Sequence, residues 1–503
     1  MNVKLRKVKQ YLTVLEEQCC LSKFPIENVT ICPCGYKSGH TPPPLSEFSP
    51  YAIGDVWAEN KPDSHAWFHI EFDAEKLPEP LSLRLQIDSC GTNNMNHPQY
   101  MLYVNGELKQ GMDANHTYAI FDEAGHYDIY LYAYTGRMKM KMSTASPDAI
   151  PSVFSVGLLA YLKTVNKEIE QLYYDIKVPF DTLEFLDPNG RDYTLTLDRL
   201  HTAVSMLDLF EIGSEDFHAS VKRAQTYMTE EFYGNYCHEQ PTTVLCVGHT
   251  HIDCAWLWTL QQTREKVQRS FSTVVDLMKR YPEYKFTSSQ PLLYRKLKEE
   301  APEIYEEVKR LIKEGRWECE GSMWVEADCN LTSGESLVRQ VMYGKRFFRE
   351  EFGKDNRILW LPDVFGYSAA LPQILRKSGV DWFVTSKISW NDTNSMPYDT
   401  FIWKGIDGTG INSYFLTAEN ITNPLKHATY NGKATPDMIA GTYDRYKHKE
   451  LSDEVMISYG YGDGGGGPTA EFLEMIRRES KGIPGIPNAK TGFLGEFFDR
   501  LGN

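Results

Sequence analysis

The chain has 503 residues, more than one ordinary domain holds, so two or three domains are expected. Its 42% hydrophobic and 13% aromatic residues can supply sizeable cores. A formal charge of -15 excludes a nucleic-acid or anionic-membrane partner, which would need clustered Lys and Arg.

No apolar run reaches the roughly 18 residues a membrane span requires, so no span is expected. The Lys/Arg-rich start, Met1 to Gln10, has no secretory apolar core behind it. The ten Cys residues lack zinc-ribbon spacing and read as reduced thiols. A cytoplasmic location follows as the expectation.

Residues 1 to about 20 carry apolar positions at helical spacing, predicting a short helix within an N-terminal segment of residues 1–35. From 36 to 160 the period drops to two, as in Leu81-Ser82-Leu83-Arg84-Leu85-Gln86-Ile87. Tyr103 to Leu108 reads as a hairpin turning at Asn105-Gly106, where positive φ angles are tolerated. An antiparallel β-sandwich of jelly-roll type is predicted there. Residues 161–238 return to a 3.6-residue period and form a helical connector. From 239 to 503, short buried strands alternate with amphipathic helices such as Glu265 to Arg280, predicting an α/β domain with a parallel core.

Three motifs in that last region carry chemistry. Gly248-His249-Thr250-His251-Ile252-Asp253 follows the predicted strand Thr243 to Val247. Residues two apart in an extended segment face one way, so His251 and Asp253 can reach a single cation. A hydrogen-bonded His–Asp pair is the plainer reading. Trp360-Leu361-Pro362-Asp363 puts a carboxylate where an apolar strand gives way to a loop, the edge at which sites gather. The plainer reading is a helix-capping Asp. Tyr459 to Pro468 joins Asp463 to four glycines, expected to bring backbone close to a ligand. No Lys-Ser/Thr follows, which disfavours a phosphate loop and leaves a surface turn as the alternative.

In order and context these motifs, together with Glu320-Gly321-Ser322-Met323-Trp324-Val325-Glu326-Ala327-Asp328, resemble glycoside hydrolase family 38 α-mannosidases of the cytosolic branch. The resemblance implies an irregular seven-stranded β/α barrel, preceded by the sandwich and the helical connector. It implies a retaining hydrolase that holds one Zn²⁺ and cleaves α-mannosides, whether glycan or small mannoside. On it, His251, Asp253 and Asp363 match zinc ligands, and Asp363 also the nucleophile. Asp463 is the acid/base candidate, Trp256 a platform under the sugar, and Phe365 part of the pocket lining. Lys387 stands where the better-known branch has an Arg holding nucleophile and sugar. Glu326 and Asp328 are expected to bind substrate hydroxyls, or one of them to replace Asp463.

Two rival classes remain at this level, a metal-dependent polysaccharide deacetylase and a non-catalytic sugar-binding protein. Family members supply a fourth zinc ligand, a His, from a helical domain after the barrel. Neither His427 nor His448 stands in such a segment. The chain is therefore expected to be truncated before that domain, to need a C-terminal half or an oligomeric partner, and to turn over little alone.

Overall fold

The computed structural model describes residues 2–36, 40–59, 63–92, 98–136, 155–423 and 427–502. The opening helix, Val3–Cys19, is capped by Asn2, whose side chain accepts from the Lys4 amide. Its apolar stripe, Val8, Leu12 and Leu15, packs on the helices Lys167–Thr182 and Arg191–Ser205. The N-terminal helix thus shares a core with the connector helices.

Two antiparallel sheets follow. One runs Cys20–Pro25, Ser155–Asn166, Leu81–Thr92, Tyr118–Ile120, with Val56–Glu59 also paired to Ser155–Asn166. The other runs Ser49–Pro50, Thr30–Cys34, His65–Ala74, Gly125–Tyr134, Gln99–Val104, Glu107–Met112. Phe68, Ile70, Leu85, Leu102, Leu131 and Leu158 lie fully buried in the core these sheets share. Cys20–Pro25 and Thr30–Cys34 fall in the stretch expected as helix and linker. They are strands because Ser155–Asn166 and His65–Ala74 offer them antiparallel partners, and such long-range pairing leaves no local trace. At the expected hairpin, Asn105 and Gly106 have φ of 51° and 87°, which a turn with both central residues left-handed requires.

The remaining strands are short, and most are parallel. Trp317–Cys319, Phe286–Ser288, Thr243–Gly248 and Glu454–Tyr459 form one sheet, with Asn488–Thr491 added to Thr243–Gly248. Ile358–Trp360, Trp382–Thr385 and Gly410–Phe415 form a second parallel set, edged by the antiparallel strand Thr400–Lys404. An isolated bridge, Gly321 to Leu359, links the sheets. Helices pack outside, as parallel crossovers demand.

One helix, Leu260–Arg280, is covered on every side. Val267, Phe271, Val274 and Met278 face the α/β core, where Phe271 meets Trp317 edge-on at 4.9 Å. Its polar face lies under the sandwich strand Glu107–Met112. There the Gly111 amide donates to Thr273 Oγ1 at 3.1 Å, and a Cβ on Gly111 would stand 2.7 Å from Arg269 Cβ. Gly111→Ala is therefore expected to lower stability in urea unfolding by about 1–3 kcal/mol, the cost of overpacking. Gly125→Ala, where an added Cβ meets nothing within 4 Å, should stay within about 0.5 kcal/mol.

Candidate active site

The metal-ligand and acid/base candidates sit just past the carboxyl ends of parallel strands. His251 and Asp253 follow Thr243–Gly248, Asp363 follows Ile358–Trp360, and Asp463 follows Glu454–Tyr459. His251, Asp253, Asp363 and Asp463 each offer one ligand atom, and these four atoms all lie within 4.8 Å of one another. His251 is buried, and its Nδ1 stands 2.9 Å from Glu326 Oε2. Its Nε2 faces Asp253 Oδ1 at 3.3 Å and Asp363 Oδ2 at 3.5 Å.

That arrangement fits a divalent cation. If Nδ1 donates to Glu326, the Nε2 lone pair points at carboxylate oxygens, and acceptors converge with no proton between them. Without a cation the balance falls on His251. Burial opposes its charge, but Glu326 and Asp253 outweigh burial and hold the imidazole well above its ordinary pKa. A divalent cation supplies the same compensation with Nε2 deprotonated, and one imidazole with carboxylates suits a transition ion such as Zn²⁺.

Two residues that sequence reasoning missed organise the carboxylates. Tyr430 Oη lies 2.6 Å from Asp363 Oδ2 and 2.9 Å from Asp463 Oδ1. A phenol has one proton, so it serves one carboxylate at a time. Asn431 Nδ2 donates to Asp463 Oδ2 at 3.1 Å. The segment holding both has no strand or helix period, and its one local signal is the turn-forming Asn431-Gly432 pair. Burial, aided by the Asp363 and Asp253 charges, raises the Asp463 pKa above the usual range against the opposing pull of His251 and Tyr430.

Lys387 Nζ pairs with Asp363 Oδ1 at 2.8 Å and stands 4.2 Å from the Trp390 ring. Phe365, 78% exposed, lies 5.3 Å from the same ammonium, at the open side of the group. Trp256 is partly exposed and packs edge-on against Trp258 at 5.7 Å. Glu326 is not among the four convergent donors. It stands behind His251, with Oε1 accepting from Ser289 Oγ at 2.7 Å. Asp328 is exposed and spends Oδ1 on the Asn330 and Leu331 amides, as a turn residue does. Like Glu326, Asp328 is not among the four convergent donors. His249 is a core residue: burial lowers its pKa to about 4, with Nδ1 donating to the Thr287 carbonyl and Nε2 accepting from Trp360.

The tetraglycine run also has a different environment from the one expected. A Cβ on Gly464 would meet Lys266 Nζ at 2.8 Å, and one on Gly466 would meet His116 Cε1 at 2.6 Å. These glycines are small because protein, not ligand, presses on them.

A partner that orients a metal-binding His typically tunes metal affinity by about 10- to 100-fold. Glu326→Gln is expected to weaken Co²⁺ binding by that amount, read from visible d–d absorption on titrating the metal-free protein. Asp328→Asn should leave the same titration unchanged.

The family description "Glycosyl hydrolases family 38 N-terminal domain" matches residues 241–503. Alpha-mannosidase G of Dictyostelium discoideum is 38% identical over 343 residues, covering 68% of this chain and 30% of that protein. Alpha-mannosidase of Saccharomyces cerevisiae is 38% identical over 313 residues, covering 59% and 28%. Human alpha-mannosidase 2C1 is 30% identical over 467 residues, covering 90% and 42%. The chain thus matches less than half the length of these relatives. With that family's domain matched over the whole region that carries the four convergent donors, the chain belongs to glycosyl hydrolase family 38.

Proposed function

We propose that this chain carries the catalytic domain of a zinc-dependent retaining α-mannosidase acting on terminal α-mannosides, in a glycan or a small mannoside. The observation that carries the reading is the closeness of two carboxylates of different character. Asp363 and Asp463 offer oxygens within 4.8 Å of each other. Retaining glycosidases hold their carboxyl pair about 5–5.5 Å apart, whereas inverting ones leave about 6.5–9.5 Å for a water. The names of the relatives, alpha-mannosidases, support the substrate class.

Asp363 is the better nucleophile. Lys387 and Tyr430 hold its two oxygens, which fixes the carboxylate in one orientation. Asp463 is the better acid, because its burial favours the protonated form needed to deliver a proton to the leaving oxygen. The proton then returns when Asp463 takes one from the water that releases the sugar. His251, Asp253 and Asp363 would hold the Zn²⁺, which when bound would supply Lewis-acid polarisation of sugar hydroxyls. Trp256 and Phe365 offer exposed ring faces for the sugar. Thr243–Gly248, Phe286–Ser288, Trp317–Cys319, Ile358–Trp360, Trp382–Thr385, Gly410–Phe415 and Glu454–Tyr459, with the bridge between the sheets, are read as one irregular seven-stranded β/α barrel.

A 5-fluoro-mannosyl fluoride is expected to label Asp363 covalently, located by peptide mass spectrometry. Label on Asp463 would reverse the assignment. Asp463→Ala should slow glycosides with poor leaving groups by about 10²–10⁴-fold, the usual worth of general acid catalysis, and activated aryl mannosides far less.

A further inference from the structure

The loop bearing Asp463 is not held by its own domain alone. It turns back on itself through paired Tyr461 and Gly467 backbones at 3.0 and 2.8 Å. Asp463 itself is left-handed, with φ of 55°. Outside that turn, three side chains of the N-terminal sandwich reach the loop carbonyls. Gln99 Nε2 donates to Gly464 O at 3.1 Å, and Asn115 Nδ2 donates to Gly465 O at 3.1 Å. His116 Nε2 lies 2.9 Å from Pro468 O.

The chemistry fixes the direction of each contact. The Gln99 oxygen accepts from Lys266 Nζ at 3.1 Å and from the Arg269 guanidinium, so its amide nitrogen must face Gly464. Asp113 Oδ1 accepts from the Asn115 and His116 amides at 2.8 and 3.0 Å, and although burial opposes its charge, His116 and these amides hold its pKa below the ordinary value. His116 Nδ1 donates to that same oxygen at 3.1 Å. A carbonyl can only accept, so His116 must carry a proton on both nitrogens. Burial opposes that charge, yet Asp113 prevails and raises the His116 pKa. All of this is packed without slack, since Gly464 and Gly466 have no room for a Cβ against Lys266 and His116.

We infer that Gln99 and the Asp113–His116 pair are positioning residues for Asp463, so that the sandwich completes the hydrolytic site of the neighbouring domain. The inference rests on the reading of Asp463 as acid/base. Neither residue touches substrate. They act by holding the Gly464 carbonyl, next to Asp463, and the Pro468 carbonyl, just past the turn, and thereby the loop that carries the carboxyl group.

The test compares the Zn²⁺-loaded full-length protein with Gln99→Glu, His116→Phe and Asp463→Ala. Gln99→Glu keeps an acceptor for Lys266 and Arg269 but turns the donor facing Gly464 O into an acceptor. Gln99→Met serves in its place if that variant does not fold. The readout is the ratio of kcat on an α-mannobiose to kcat on 2,4-dinitrophenyl α-mannoside, with zinc content and KM as controls. A misplaced catalytic group costs up to about 100-fold, so a fall of about 10- to 100-fold in the ratio is expected for the Gln99 and His116 variants, with KM and zinc content nearly unchanged. A merely structural role would lower both rates together and leave the ratio alone, which overturns the inference. An unchanged ratio in Asp463→Ala sinks the acid assignment itself. A changed ratio there beside unchanged ratios in the folded Gln99 and His116 variants overturns the positioning alone.

Discussion

Burying the polar face of Leu260–Arg280 between two domains is the constraint on which the rest of the structure turns. Charged groups removed from water destabilise a fold unless each finds a counter-charge or a hydrogen bond. Here Glu265, fully buried, stands 3.8 Å from Arg269 and 3.4 Å from the Tyr132 hydroxyl. Lys266 has its Nζ on Gln99 and over the Trp258 ring at 4.3 Å, and burial holds its pKa well below the ordinary value. Tyr132 and Gln99 come from the sandwich, so the sandwich is fixed in angle and register against the helix. Hydrophobic contact alone is non-directional and would have left that angle loose.

The site inherits this rigidity. Gln99 links the buried cations to Gly464, and from there the loop runs one residue to Asp463. On the other side, Asp463 meets Tyr430 and Asn431, which also rise from the α/β domain. The acid candidate is thus held from both domains, whereas Asp363 is held by Lys387 and Tyr430 of one domain only. Because Tyr430 has a single proton, a change of charge on one carboxylate redirects the hydrogen bond to the other.

What the sequence disclosed follows from where information is local. His251-Ile252-Asp253 and Pro362-Asp363 stand next to apolar strands, so their place at strand ends was legible from pattern alone. Glu326 and Asp328 were legible as a pair but not as roles. Both belong to one short segment, yet one turns inward behind His251 and the other outward into its own turn. Strands Cys20–Pro25 and Thr30–Cys34 were hidden because pairing partners distant in sequence define them. The amphipathic pattern of Glu265 to Arg280 marked a polar face without its cover, since period shows which face is polar and not what packs on it. Tetraglycine showed that something must come close to the backbone and not whether it was ligand or protein.

The contact of His116 with Pro468 spans 352 positions of sequence. Synthesis runs from the amino end, and domains fold as units while the chain is still emerging. A sandwich completed early must therefore wait, with the face bearing Gln99, Asp113 and His116 in water, until the loop that carries Asp463 is made. An apolar face of that size would invite aggregation during the delay. Polar side chains tolerate the wait and later find their partners, so placing Gln99, Asp113 and His116 beside the apolar Trp67, Met101 and Leu108 of the same seam suits assembly on the ribosome as well as the finished fold.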